Sequence, residues 1–287
     1  MYSARISRSN PILFVILIDQ SGSMEELTRF NGKLIPKAEA VAMTVNILIS
    51  ELLYRSRREE GYRDYFEITV LGYHGQQVVP MVGDAGHLFM RPSELAASEL
   101  GRVKLEKERR LPDGRTMISV VDQRVWIRPY AGDKTPMYAA LLKAYEEVKR
   151  WCQQKNHQNS YPPVIFNITD GEASDGNEAM LTELSEQIKG LSTGDGHVLL
   201  MNMHISSDQT TRPVIFAASE AELPDQRYAR LLYRMSSPMP AVYHENIRRL
   251  RGIPGGEEFR GMSYNAAMTD LISMMNIGSV SVNLMDN

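Results

Sequence analysis

Two short segments of the chain are apolar without interruption. Residues 12–18 (ILFVILI) and 163–169 (PVIFNIT) are rich in β-branched side chains, the pattern of strands buried on both faces in a parallel sheet. Residues 66–73 read as a further strand, with 76–82 returning beside it through Gly75. Helical spacing takes over at 36–58, where Val41, Val45, Leu48, Ile49, Leu52 and Leu53 share a face and Pro36 suits the first turn. The same spacing predicts helices over 136–152 and 177–191, a strand over 197–205, and a further short strand over 214–217. Short helices follow at 225–235 and 241–251. A last helix is expected over 264–275, with Tyr264, Ala267, Met268, Leu271, Ile272 and Met275 in register.

Buried strands alternating with helices imply an α/β fold with a Rossmann-like, doubly wound, mostly parallel sheet. Residues 83–128 break the rhythm. They offer a helical piece at 92–100 and two extended pieces, 102–110 and 115–127, about the turn Pro112-Asp113-Gly114. About 45 residues is small for independent folding, so this stretch reads as a β-rich insertion in a single domain spanning 1–287. Residues 206–287 read as a C-terminal elaboration of that domain.

Composition narrows the chemistry. With 32 Lys and Arg against 35 Asp and Glu, the net charge of −3 gives no reason to expect a nucleic-acid or anionic-membrane partner. The lone Cys152 forms no internal disulfide, and the six histidines are scattered with no HExxH. No run approaches the roughly 20 apolar residues of a membrane span. The 12–18 run after Arg5 and Arg8 is too short for a signal peptide and lacks a cleavage site, so a cytoplasmic location is expected.

In such a sheet ligands gather at the carboxyl ends of strands, where strand order reverses. Asp19-Gln20-Ser21-Gly22-Ser23 follows the first buried strand, and Asp170-Gly171-Glu172 the second. Lys134-Thr135-Pro136 opens the intervening helix, placing Thr135 at the same end. Two carboxylates and three hydroxyls suit a hard cation such as Mg²⁺, with Mn²⁺ or Ca²⁺ as alternatives. Gly22 is expected to let the loop curl so that both serines face one ion. Each residue also has an ordinary role open to it: Asp19 with Ser21 a turn and cap, Thr135 an N-cap, and Asp170-Gly171 a turn pair. Asp175 or Asn177 would cap the next helix, while Glu172 and Asp175 are also candidates to contact a partner.

Asp19-x-Ser21-x-Ser23 with distant Thr135 and Asp170-Gly171 resembles the metal-ion-dependent adhesion site of von Willebrand factor type A domains. All five positions of that pattern are filled in order, over residues 10–205. The resemblance implies a sheet with one antiparallel edge strand, usually Mg²⁺ at the site, and binding rather than catalysis. The partner would supply an Asp or Glu carboxylate to the metal. Intracellular members serve as scaffolds for ATPase complexes and occur in bacterial stress systems with kinases and phosphatases. One alternative is a Mg²⁺-dependent phosphoryl-transfer enzyme of the haloacid-dehalogenase type, although Ser21 stands where such enzymes carry a second Asp. Another is a subunit whose metal only staples loops. No G-x-S-x-G elbow or P-loop is present.

The remaining charged and soft residues read as structure. The basic residues Arg102, Lys104, Lys107, Arg109, Arg110 and Arg115 alternate with Glu106 and Glu108, as on a solvated hairpin face. The 17 methionines read as core filler and Cys152 as a spectator.

Overall fold

A computed structural model of the protein describes residues 2–30, 32–110, 116–206, 211–252 and 258–280. Its centre is a seven-stranded sheet. In chain order the strands are β1 (Ile12–Asp19), β2 (Phe66–His74), β3 (Gln77–Val82), β4 (Val164–Thr169), β5 (Leu199–His204), β6 (Val214–Ile215) and β7 (Met262–Tyr264). Across the sheet they lie β6-β7-β5-β4-β1-β2-β3. β1, β2, β4, β5 and β7 are mutually parallel, while β3 and β6 run antiparallel at the two edges. The fold class is therefore α/β with a mostly parallel, Rossmann-like sheet, whose strand order reverses between β1 and β4.

The apolar run of β1 divides by its period of two. Ile12, Phe14, Ile16 and Ile18 enter one core with α1 (Lys37–Ser56) and α7 (Met268–Val280). Leu13, Val15 and Leu17 enter the other, with α3 (Met137–Cys152), α4 (Glu178–Gly190) and α5 (Arg227–Met235). Met274 and Met275 are fully buried, as core filler should be.

Residues 84–128 carry α2 (Pro92–Ala97) and a hairpin of Gly101–Arg110 with Thr116–Val125. Leu95, Leu105, Trp126 and Ile127 share the core of α1. Arg102 and Lys104 are exposed on this hairpin. The Pro112-Asp113-Gly114 turn, Arg115, and the side chains of Lys107, Glu108, Arg109 and Arg110 lie outside the described residues.

Three expectations change. The polar stretch after β1 contains a hairpin, Leu27–Phe30 against Lys33–Pro36, with Gly32 at φ +76°. Its signal was present: Asn31-Gly32 between extended residues is a strong hairpin turn. Residue 197 belongs to a small separate hairpin, Ser192–Thr193 with Gly196–His197, and β5 begins at Leu199. The last helix begins at Met268, because Met262–Tyr264 instead pairs with Asn202 and Met203 inside the sheet. Backbone groups in that slot need ladder partners, and this requirement overrides the helical spacing of 264–275. Among the described residues, no helix is long and apolar enough to cross a membrane. α6 (His244–Arg251) completes the helices.

Candidate metal centre

β1 and β4 end side by side at the reversal of strand order, and their next residues form the site. Asp19 closes β1 with its side chain fully buried. Its Oδ1 accepts the Ser21 N–H at 2.9 Å, and its Oδ2 accepts the Thr169 hydroxyl at 2.8 Å. Burial is the main force on this carboxyl, and with the nearby Asp170 charge it outweighs the hydrogen bonds, pushing the pKa up to about 6. A carboxylate so placed gains from a cation beside it.

The hydroxyls form a short chain. Ser21 and Ser23 Oγ stand 3.1 Å apart, and Ser23 Oγ donates to Asp170 Oδ1 at 2.8 Å. Met24, fully buried one residue on, anchors this loop in the core. Gly22 corrects the expected reason for its place: it has no left-handed φ, and a Cβ there would meet the Asp133 carbonyl oxygen at an ordinary 3.7 Å.

Thr135 is brought in by backbone stitching. The Gly22 N–H donates to Asp133 C=O, and the Gly132 N–H to Gln20 C=O, at 2.9 and 2.8 Å. The Ser174 N–H donates to Thr135 C=O at 2.9 Å, joining the third loop. Thr135 does not cap α3. Asp175 does so from another loop, Oδ1 accepting from Tyr138 N–H and Oδ2 from Ala139 N–H, each at 2.9 Å. Thr135 is itself buried, and no side-chain hydrogen bond caps α3 from its position.

Asp175 is thus committed to α3, whereas Asn177 caps α4 by accepting from Met180 N–H at 3.0 Å. Glu172 is exposed, and among the described residues it makes no ion pair or hydrogen bond. It lines a cleft of about 270 Å³ beside Asp170, with Met137, Leu181, Arg227, Tyr228 and Leu231.

Residues outside the motif support the site. Lys37, the first residue of α1, is buried and donates to Asp170 Oδ2 at 2.9 Å and Glu26 Oε2 at 2.7 Å. A lysine in a helix's first turn opposes the macrodipole, and that misfit was the signal available in the sequence. Behind the site, Tyr73 hydroxyl donates to Asn167 Oδ1, Asn167 Nδ2 to Asn202 Oδ1, and Asn202 Nδ2 to Ser236 Oγ. Asn167 interrupts the apolar run of β4 because this buried ladder needs it. His204, at the end of β5, stacks on Tyr264 and meets the Tyr228 hydroxyl at 2.6 Å; burial pulls its pKa down to about 4.

Among the described residues no cluster of three or more His, Cys, Asp or Glu could hold a metal. The donor set is instead two carboxylates and three hydroxyls, all hard oxygens, which fits Mg²⁺ and not a thiolate- or imidazole-seeking metal.

No family model matches the chain, and no curated protein does. Among solved structures it is similar to a von Willebrand factor type A protein from Catenulispora acidiphila, at 15% identity and TM-score 0.42, over 69% of this chain and 34% of that one. It is also similar to the vWF domain of the type V pili tip protein Mfa5 from Porphyromonas gingivalis, at 13% identity and TM-score 0.28, over 57% and 39% of the two chains. A third similarity is to an uncharacterized membrane spanning protein from Vibrio fischeri, at 14% identity and TM-score 0.27, over 67% and 71%. The chain spans about a third of the length of the first of these.

Proposed function

We propose that the protein is a metal-dependent interaction module. Asp19, Ser21, Ser23, Thr135 and Asp170 would hold a divalent cation, Mg²⁺ by preference. Bound there, the ion would supply a Lewis-acidic point for a carboxylate oxygen of a partner protein. The observation that carries this reading is the convergence of three loops at one strand-order reversal: Asp19 and Asp170 linked through Ser21 and Ser23, and a Thr135 hydroxyl released from capping by Asp175.

The chain's own residues perform the remaining work. Thr169 and the Ser21 N–H orient Asp19, and the backbone bonds from Gly22 and Ser174 keep the three loops in register. Glu172, exposed at the mouth of the cleft, is placed to repel or select charge on an incoming partner. A scaffold or adaptor role in an ATPase or kinase–phosphatase stress system, in the cytoplasm, rests on the motif's resemblance.

The test is retention of native partners on immobilised protein with Mg²⁺, with EDTA, and with Asp19→Ala. We expect partners held only by wild type with Mg²⁺; equal retention in EDTA overturns the reading. Lys37 beside Asp170 favours a second reading, Mg²⁺-dependent phosphoryl transfer. Hydrolysis of an aryl phosphate, lost in Asp19→Asn, would establish it.

A further inference from the structure

Lys37 stands where neither its own helix nor its burial favours a cation. The first turn of α1 lies at the positive end of the helix dipole. Its side chain is only 3% exposed, and a lysine so enclosed requires a paired anion. Two oxygens meet the ammonium, from Asp170 and Glu26, and they are not equivalent. The Glu26 side chain is 55% exposed, whereas that of Asp170 is wholly buried. The stronger hold on Lys37 is therefore the candidate metal ligand.

The chain is built to deliver this group. Glu26 precedes the Leu27–Phe30/Lys33–Pro36 hairpin and Lys37 follows it. The Lys37 N–H donates to Glu26 C=O at 2.9 Å, closing the hairpin's base. A closed base sets the ammonium against Asp170 Oδ2 while Ser23 holds Oδ1. Both oxygens of Asp170 are thus occupied, one of them by a full positive charge.

We propose that Lys37 is the site's internal cation: its ammonium competes with the divalent ion for Asp170 and sets a weak intrinsic metal affinity, so that the metal is held firmly only when a partner's carboxylate joins it. The inference rests on the metal-binding reading above and adds a charge balance to it. With a divalent ion, Lys37, Glu26, Asp19 and Asp170 sum to no net charge. Glu26, however, is half exposed and screened by solvent, so among the enclosed groups Lys37 offsets one carboxylate and the ion is left less neutralised, readier to take a carboxylate from outside.

The probe is Mn²⁺ alone, its free fraction followed by electron paramagnetic resonance, with thermal unfolding in EDTA as the check on folding. Lys37→Met and Lys37→Gln should bind Mn²⁺ roughly tenfold or more tightly than wild type, because one unit charge a few ångströms from the ion is removed. Lys37→Arg, which keeps the charge, should stay within about threefold of wild type. Mn²⁺ binding by wild type that matches or exceeds that of both neutral variants overturns the role of Lys37 and leaves the metal site standing. Absence of Mn²⁺ binding in wild type and every variant overturns the metal reading, and this inference with it. A measurement on the unaltered protein covers the case of misfolded variants: the ¹⁵N signal of the Lys37 ammonium should be protected from exchange in EDTA and lose that protection with Mg²⁺. Protection unchanged at saturating Mg²⁺ overturns the competition.

Discussion

Two helices begin beside the candidate site and meet the charge of a helix start in opposite ways. α3 receives an anion: Asp175, from the loop after β4, accepts two of its first N–H groups. α1 receives a cation, Lys37, held there by Asp170 and Glu26. The first arrangement is what helix physics alone would choose. The second runs against it, so the requirement for Lys37 comes from Asp170 and not from α1. One helix start is capped as folding favours; the other faces an acid of the candidate site.

The largest effect that tests this contrast is charge reversal. Lys37→Glu would gain about 0.3–1 kcal/mol from the dipole, but it leaves buried Asp170 facing a second acid, a loss of about 3 kcal/mol or more. Urea unfolding in EDTA should show clear destabilisation, partly recovered by Mn²⁺. Net stabilisation would break the comparison.

Next is pH. Asp19 holds its proton up to about 6 when folded, against 3.8 when unfolded. Between those values the folded state binds more protons, so stability in EDTA falls as pH rises through about 4 to 6. The loss from this group is at most about 3 kcal/mol at neutral pH. The slope should be present in wild type, absent in Asp19→Asn, and flattened by Mg²⁺, whose affinity should drop below pH 6. Urea midpoints across that range measure it.

Removing the cap is smaller. Asp175→Ala should cost about 1–2 kcal/mol in urea unfolding and leave Mn²⁺ affinity nearly unchanged, since the cap acts on α3. Smallest of all, Glu172→Gln should change stability by less than about 0.5 kcal/mol, being exposed and unpaired. If its Mn²⁺ affinity nonetheless moved more than that of Asp175→Ala, the division between committed and uncommitted acids would need redrawing.

Legibility in the sequence follows the range of the forces. Ile12–Asp19 and Val164–Thr169 were plain because burial on both faces leaves a local record, an unbroken apolar run. That the loops carrying Asp19, Ser21, Ser23, Thr135 and Asp170 meet could be expected because strand ends on one side of a parallel sheet are placed by topology. Met262–Tyr264 was not plain, since three residues show no period and only their neighbours in the sheet define them. Thr135 as a cap was a reasonable local expectation, overturned by an aspartate 40 residues further on.

The sequence alone determined the alternation of buried strands and amphipathic helices, and which oxygen-bearing side chains follow the strand ends. Both are properties of neighbouring residues. Tertiary structure decided which acid serves α3 and which cation faces Asp170. These depend on contacts across well over a hundred residues for Lys37 and Asp170, where folding, not spacing, sets the distance and burial makes the charge matter.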